Sequence, residues 1–243
     1  MLKLHRFLKN IGKSFLDLLY PPLCIHCKED LERDCKIFCK ACSSLLTMIS
    51  PIERCPYCFA PDANLKRCCK TCRKHPLLFD RIASAFDYEG PPATLIKQLK
   101  YGGQTHLAQG AGGYLAAQFL TLDWPLPDLI IPMPSTPIKK LERGFNQSLL
   151  LAEAFATIIN RPVVEIIKRK NGDFAQANLN HKERLQLRST SFEVKSSTPL
   201  DNQCILIIDD VMTTGSSLKC CAESLLPLFP KSLYALTFCR AGE

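Results

Sequence analysis

Two adjacent carboxylates, Asp209 and Asp210, stand directly before Val211, Met212, Thr213, Thr214, Gly215, Ser216 and Ser217. Small hydroxyls and backbone N–H groups at a helix start are donors for a phosphate, and the helix dipole favours an anion there. Gly215 lets a phosphate approach the backbone closely. Ionised carboxylates cannot bind phosphate themselves; the pair suits ribose hydroxyls or a metal ion carried by the phosphate. A phosphorylated sugar satisfies both halves of this motif.

The second chemistry is that of thiolates. Four C-x-x-C pairs, Cys24/Cys27, Cys39/Cys42, Cys55/Cys58 and Cys69/Cys72, lie in the first third of the chain. Two thiolates three positions apart on a tight knuckle reach one metal, and two knuckles complete a tetrahedron, the geometry of structural zinc. Pairing of neighbouring knuckles is the simpler arrangement, and interleaved pairing stays open. Cys35 and Cys68 are left over, and His26 and His75 read as bystanders. A redox role for a single pair lacks the strand–helix setting of a thioredoxin motif.

These residues need elements to hold them. Ile205 to Ile208 is a short apolar run, typical of a fully buried parallel strand, which the two acids end. Ser217 to Leu226 then reads as a helix. Strand, polar loop and helix in that order place the loop outside the carboxyl edge of an open sheet, where such folds bind ligands. Upstream, the pattern predicts strands over Arg81–Tyr88, Asp128–Ile131, Val163–Ile167 and Ser191–Val194, and a last one over Leu233–Phe238. Helices are expected over Ala93–Leu99, His106–Leu122 and Ser148–Ile159. This alternation implies an α/β domain, a parallel sheet with helices on both faces. The loop Pro132-Met133-Pro134-Ser135 ends a strand at the ligand edge, and Arg143, with its planar fork, is a candidate anion contact. Lys168 to Arg188 is long, polar and basic, as an active-site flap or an exposed arm would be.

Three units follow: an amphipathic helix over residues 1–20, a cysteine-rich zinc-ribbon module over 21–76, and an α/β domain over 80–243. Of the 14 cysteines, ten precede residue 75. With no convincing secretory signal and nothing near the length of a transmembrane span, metal-bound thiols in a reducing cytoplasm explain them better than disulfides. A segment of about 50 residues buries too little core to fold unaided, and zinc supplies the missing folding energy. The formal charge of +8 falls to roughly +4 once two zinc sites of four thiolates each form, so basic character permits nucleic-acid binding without demanding it.

The run from Asp209 to Ser217 closely resembles the 5-phosphoribosyl 1-diphosphate (PRPP) loop of type I phosphoribosyltransferases. Further motifs extend the likeness over nearly the full length: the knuckles, Pro21-Pro22-Leu23-Cys24, Leu99-Lys100-Tyr101-Gly102-Gly103, Ile131-Pro132-Met133-Pro134, Arg143-Gly144-Phe145-Asn146-Gln147, and Gln176 with Glu183-Arg184. Together they resemble the ComF family, described as a double zinc ribbon joined to a type I phosphoribosyltransferase domain and associated with handling single-stranded DNA during natural transformation. The resemblance implies PRPP with Mg²⁺ as ligand, Asp209 and Asp210 on the ribose hydroxyls, and Thr213 to Ser217 on the 5′-phosphate. Pro134, Ser135 and Arg143 would lie near the pyrophosphate. Partners would be single-stranded DNA and competence helicase or DNA-processing proteins, in the cytoplasm or peripherally at the inner membrane. The competing class is a single-stranded DNA-binding or adaptor protein in which the PRPP site is regulatory or vestigial. Two positions depart from the family pattern: Phe59 where a knuckle usually has glycine, and Leu187 where asparagine is usual.

Overall fold

The computed structural model describes residues 22–32, 34–61, 68–169, 192–195 and 200–242. The expected helix over residues 1–20, and the polar segment past residue 169 with Gln176, Glu183, Arg184 and Leu187, lie outside them. In chain order the described residues form helices α1 (Lys40–Ser44) and α2 (Lys70–Lys74), strand β1 (Arg81–Asp87), helices α3 (Gly90–Tyr101) and α4 (Leu107–Leu120) and strand β2 (Leu129–Pro132). Helices α5 (Pro137–Arg143) and α6 (Gln147–Ile159) follow, then strands β3 (Ile167–Arg169), β4 (Phe192–Val194) and β5 (Cys204–Met212), helix α7 (Ser216–Leu225) and strand β6 (Ser232–Arg240).

Four strands make one sheet in the order β1-β6-β5-β2, every neighbouring pair parallel. The central strand β5 shows why its apolar run is unbroken. Alternate residues face opposite ways: Ile205 and Ile207 pack with Leu218, Cys221 and Leu225 of α7. Leu206 and Ile208 pack with Leu115 of α4 and Leu151 and Phe155 of α6. The expected parallel sheet with helices on both faces is therefore what the chain adopts. Helices α4 and α6 touch closely at Gly112, where an added Cβ would meet Ala154 Cβ at 2.5 Å. Among the described residues no helix is long and apolar enough to cross a membrane.

The cysteine-rich residues join this core. Phe38, Ile49 and Phe59 are buried in the same apolar cluster as Phe86 and Leu115. Backbone bonds run from Ile49 N–H to the Ala85 carbonyl (2.9 Å) and from Ile82 N–H to the Tyr57 carbonyl (2.7 Å). Arg54 pairs with Asp87 at 2.7 Å. Each of these contacts fixes a knuckle-bearing segment against β1.

Three local expectations differ from the structure. Strand β5 runs past Ile208 to Met212, because β6 continues to pair with it as far as Met212 and Arg240. The segment Val163–Ile167 is not a strand: Val163 makes one bridge to Ile130, and only Ile167–Arg169 forms a strand, antiparallel to β4. Extending that parallel bridge toward Ile167 would need an N–H from residue 132 to the Val164 carbonyl, and Pro132 has none, so the ladder stops. Finally, α5 is an additional helix, capped by the Thr136 hydroxyl at Lys139 N–H and closed by Gly144 at φ +80°. Thr-Pro at its start and glycine at its end are the signals that mark it.

Candidate functional site

Because β2 and β5 are parallel and Pro132 pairs with Ile208, the residues after both strands emerge side by side. Met133 N–H donates to the Ile208 carbonyl at 2.8 Å, which sets Pro134 and Ser135 next to Asp209 and Asp210. These residues line a cavity of about 220 Å³, together with Val211, Ser217, Arg143 and Ser148. Lys100, Lys139 and Arg169 add positive charge to the same wall. A small cavity with two acids on one side and four basic side chains around it fits a ligand that is both hydroxylated and polyanionic.

The acids are individually fixed. Asp209 Oδ1 accepts from the Ser148 hydroxyl at 2.9 Å and from Asp210 N–H at 2.8 Å. Asp210 Oδ1 holds Lys100 Nζ at 2.9 Å. Burial, and then the neighbouring charge of Asp210, push Asp209 up to about 7, against the opposing pull of its two hydrogen bonds and Lys100. Near neutrality Asp209 thus stands between a hydroxyl donor and an ionised acceptor.

Ser148 lies in the first turn of α6, whose cap is Asn146: its Oδ1 accepts from Ser148 N–H at 3.2 Å while its Nδ2 donates to the Met133 carbonyl at 3.1 Å. One asparagine therefore locks the start of α6 to the loop after β2. Arg143, the last residue of α5, donates to Gln147 Oε1 at 3.0 Å and stands over the Tyr101 ring at 5.0 Å. Helix α7 opens at Gly215 with φ +72°, and the Thr214 and Ser216 hydroxyls lie 2.8 Å apart.

The structure divides the predicted loop. Asp209, Asp210, Val211, Ser217, Pro134, Ser135 and Arg143 come together in the first cavity. Met212, Thr213, Thr214, Gly215 and Ser216 line a second cavity, of about 500 Å³, beside Cys58 and Cys72. The start of α7 is thus a partition with one side on each space. Lys100, Ser148 and Lys139 are the contributors that the sequence left without a role. Lys100 belongs to a quoted motif, but only packing of α3 against the sheet edge brings it to Asp210.

The cysteines assemble as neighbouring pairs: Cys24, Cys27, Cys39 and Cys42 in one tetrad, Cys55, Cys58, Cys69 and Cys72 in the other, with all sulfurs of a tetrad within 4.8 Å of one another. Sulfur separations are 3.6 Å for Cys27–Cys39 and Cys58–Cys69, and 4.0 Å for Cys55–Cys72. A tetrahedral ion with Zn–S bonds of about 2.3 Å sets sulfurs about 3.8 Å apart, so either tetrad could hold such an ion. Burial opposes ionisation of Cys24, yet backbone bonds from Cys27, Cys39 and His26 outweigh it and bring the thiol down to about 6. The same balance brings Cys55 down to about 7. Cys35, Cys68, His26 and His75 stand outside the tetrads. His26 Nδ1 instead meets the Thr94 hydroxyl at 2.8 Å. Burial pushes the Cys221 and Cys239 thiols up, as in inert core residues.

The knuckles also explain the departure at Phe59. The residue after each first knuckle cysteine pair, Lys28 and Phe59, has φ of +67° and +61°. That left-handed region is where glycine costs least.

No protein-family model matches the chain. It is similar over 228 residues to the DNA utilization protein YhgH of Escherichia coli O6:H1, at 28% identity, covering 92% of this chain and 99% of that protein. Competence protein F of Haemophilus influenzae is 26% identical over 224 residues, covering 90% and 96%. Competence protein ComFC of Bacillus subtilis is 26% identical over 202 residues, covering 81% and 80%. The ComF resemblance read from the motifs is borne out by these matches. Among solved structures, the purine phosphoribosyltransferase of Pyrococcus horikoshii covers 55% of this chain and 82% of its own, at 17% identity and a TM-score of 0.36.

Proposed function

We propose that the chain binds PRPP with Mg²⁺ at the carboxyl ends of β2 and β5 and acts in the handling of DNA during natural competence. The observation that carries the ligand is the juxtaposition of Asp209 and Asp210 with Lys100, Lys139 and Arg143 around one cavity. The competence role rests on the names of relatives that match nearly end to end. In this reading the two carboxylates accept the ribose 2′- and 3′-hydroxyls, and the start of α7 donates N–H and hydroxyl groups to the 5′-phosphate. Ser135, Arg143 and Lys139 hold the diphosphate, whose charge the accompanying Mg²⁺ partly neutralises.

Transfer, where an acceptor is present, proceeds as follows. A nucleophilic nitrogen bonds to C1 of the ribose as the C1–O bond to pyrophosphate breaks; the electron pair leaves with pyrophosphate, and the acceptor's proton passes to water. Arg143 and Lys139 stabilise the departing charge. The two cysteine tetrads hold zinc as structural ions, which requires reduced thiols and is consistent with a cytoplasmic location.

Titration calorimetry with PRPP and Mg²⁺ tests the reading on wild type and an Asp209→Ala/Asp210→Ala variant. Binding in the first and at least a tenfold loss in the second is the expected result; equal affinities, or none in wild type, sink it.

A second reading, a single-stranded DNA-binding protein, is favoured by the exposed basic residues Lys139 and Lys140 on α5, beside the cavity mouth. It predicts oligonucleotide affinity that falls steeply with added salt. Fluorescence anisotropy from low to high salt decides it, a flat salt response counting against it. Competence helicase and DNA-processing proteins are the protein partners that a pull-down would seek.

A further inference from the structure

Helix α3 carries Lys100 to the acids on a firmly held stretch of backbone. Leu99, one residue earlier, is buried in the core with Phe86 and Leu115. Gly102 caps the helix, its N–H on the Gln98 carbonyl at 2.9 Å, and an added Cβ there would lie 2.8 Å from that oxygen. Gly103 follows in the left-handed region, at φ +63°. What can move at Lys100 is therefore its side chain, a flexible stem ending in a compact charge with three donors. That ammonium lies 2.9 Å from Asp210 Oδ1, with both side chains largely buried. Arg143, on the same cavity wall, is held instead by Gln147 and over the Tyr101 ring. Adjacent carboxylates offer the hard oxygens that a divalent ion of the magnesium type takes. Here an ammonium already stands beside them and opposes a further positive charge.

We infer that Lys100 is an exchangeable counter-cation: it keeps a bare divalent ion off Asp209 and Asp210, and it passes to the diphosphate when the metal–diphosphate ligand enters. The inference deepens the phosphoribosyl reading above and rests on it. Ser135, Lys139 and Arg143, the wall given to the diphosphate, line the same cavity of about 220 Å³. In so small a space the exchange needs a rotation of the lysine side chain and no shift of the backbone. Charge balance drives it. A bare divalent ion would leave the ammonium without a partner in a largely buried setting, which is costly. A diphosphate brings negative charge of its own, to which the ammonium passes as it leaves Asp210. Asp210 is then released for a ribose hydroxyl as the ligand arrives. Lysine suits this exchange better than arginine, whose planar fork would grip the carboxylate at two points. The device also selects: ribose 5-phosphate has no diphosphate to take the lysine from Asp210, so the site favours the sugar that carries one.

Two titrations of the full-length, zinc-loaded chain test this. Bare Mn²⁺ is followed by electron paramagnetic resonance, and PRPP or ribose 5-phosphate with Mg²⁺ by calorimetry. Lys100→Met tightens bare Mn²⁺ by roughly tenfold or more, weakens PRPP roughly tenfold and leaves ribose 5-phosphate no weaker. Adding Asp210→Asn removes the Mn²⁺ gain, which locates that ion on the acids. Lys100→Arg, a second variant should Lys100→Met fail to fold, keeps bare Mn²⁺ out. Bare Mn²⁺ unmoved by Lys100→Met, a gain that survives Asp210→Asn, or Mn²⁺ admitted by Lys100→Arg overturns the exclusion. PRPP unmoved or tighter in Lys100→Met overturns the exchange. Ribose 5-phosphate falling in step with PRPP overturns both, since the lysine then only supports the site. A wild type that binds no PRPP overturns the phosphoribosyl reading and the exchange with it, whereas the failures confined to the variants leave that reading standing.

Discussion

Lys100 and Asp210 tie the last turn of α3 to the end of β5 through an ion pair of 2.9 Å whose side chains are 18% and 12% exposed. The pair lets two acids stand next to each other, since one of them carries its own counter-charge while the other, raised to about 7, is only partly ionised near neutrality. Removing the lysine alone leaves a largely buried carboxylate uncompensated, which in full burial costs about 3–5 kcal/mol. With the residual exposure, Lys100→Met is expected to destabilise the fold by about 2 kcal/mol. Adding Asp210→Asn recovers most of that loss. Urea unfolding of the single and double variants measures the coupling, and additive losses would show that the pair contributes nothing.

Asp209 provides a pH prediction. Its carboxyl is raised to about 7 from an ordinary value of 3.8, so the folded state holds this proton more tightly than the unfolded chain does. The stability this contributes is fully present below about pH 4 and is lost as pH rises through 7. Ligand binding runs the other way, because ribose hydroxyls and Mg²⁺ need the ionised form. PRPP affinity should therefore rise about tenfold per pH unit below 7 and level off above it. Asp209→Asn should flatten the profile and unfold at higher urea than wild type at pH 8, with a smaller difference at pH 5. Calorimetry and unfolding at three pH values supply both readings.

The two left-handed knuckle residues should respond to glycine with opposite signs. Lys28 is exposed with φ +67°, so Lys28→Gly relieves backbone strain and gains about 0.5 kcal/mol after the entropy of glycine is subtracted. Phe59 has the same conformation but is 3% exposed in the core. There Phe59→Gly loses a buried ring and destabilises by about 3 kcal/mol. Thermal unfolding of the two zinc-loaded variants gives the signs directly.

The second tetrad is bonded to the carboxyl end of the sheet, beside the start of α7. Arg240 Nη1 donates to the Cys58 carbonyl at 2.7 Å, and Ala241 N–H donates to the Met212 carbonyl at 2.9 Å. Loss of metal there should loosen the start of α7. Cys72→Ser is expected to leave one zinc ion bound per chain and weaken PRPP about tenfold. Cys27→Ser, in the other tetrad, should also leave one ion but keep PRPP within about twofold. Elemental analysis and calorimetry separate the two variants, and equal effects on PRPP would refute the coupling.

Close packing at Gly112 makes the α4–α6 contact sensitive as well. An added methyl would sit 2.5 Å from Ala154 Cβ and 2.8 Å from backbone atoms of α6, and neither can yield without moving the helix. Gly112→Ala should cost about 2 kcal/mol in urea unfolding.

Chemistry that depends on local order was legible in the chain. The acid pair, the hydroxyl-rich loop and the C-x-x-C knuckles declare themselves because neighbouring residues share one turn, and strand-to-helix order fixes which sheet edge they occupy. The unbroken Ile205–Ile208 run likewise foretold a strand covered on both faces. Contacts between segments far apart in sequence were not legible. Lys100 meets Asp210, Ser148 meets Asp209 and Arg240 meets Cys58 only because helix packing and parallel register bring those segments together. Knuckle pairing, and the division of one loop between two cavities, were also left to the tertiary structure. A sequence names the groups that can react; distances between them are set by the packing of the whole chain, which local pattern does not encode.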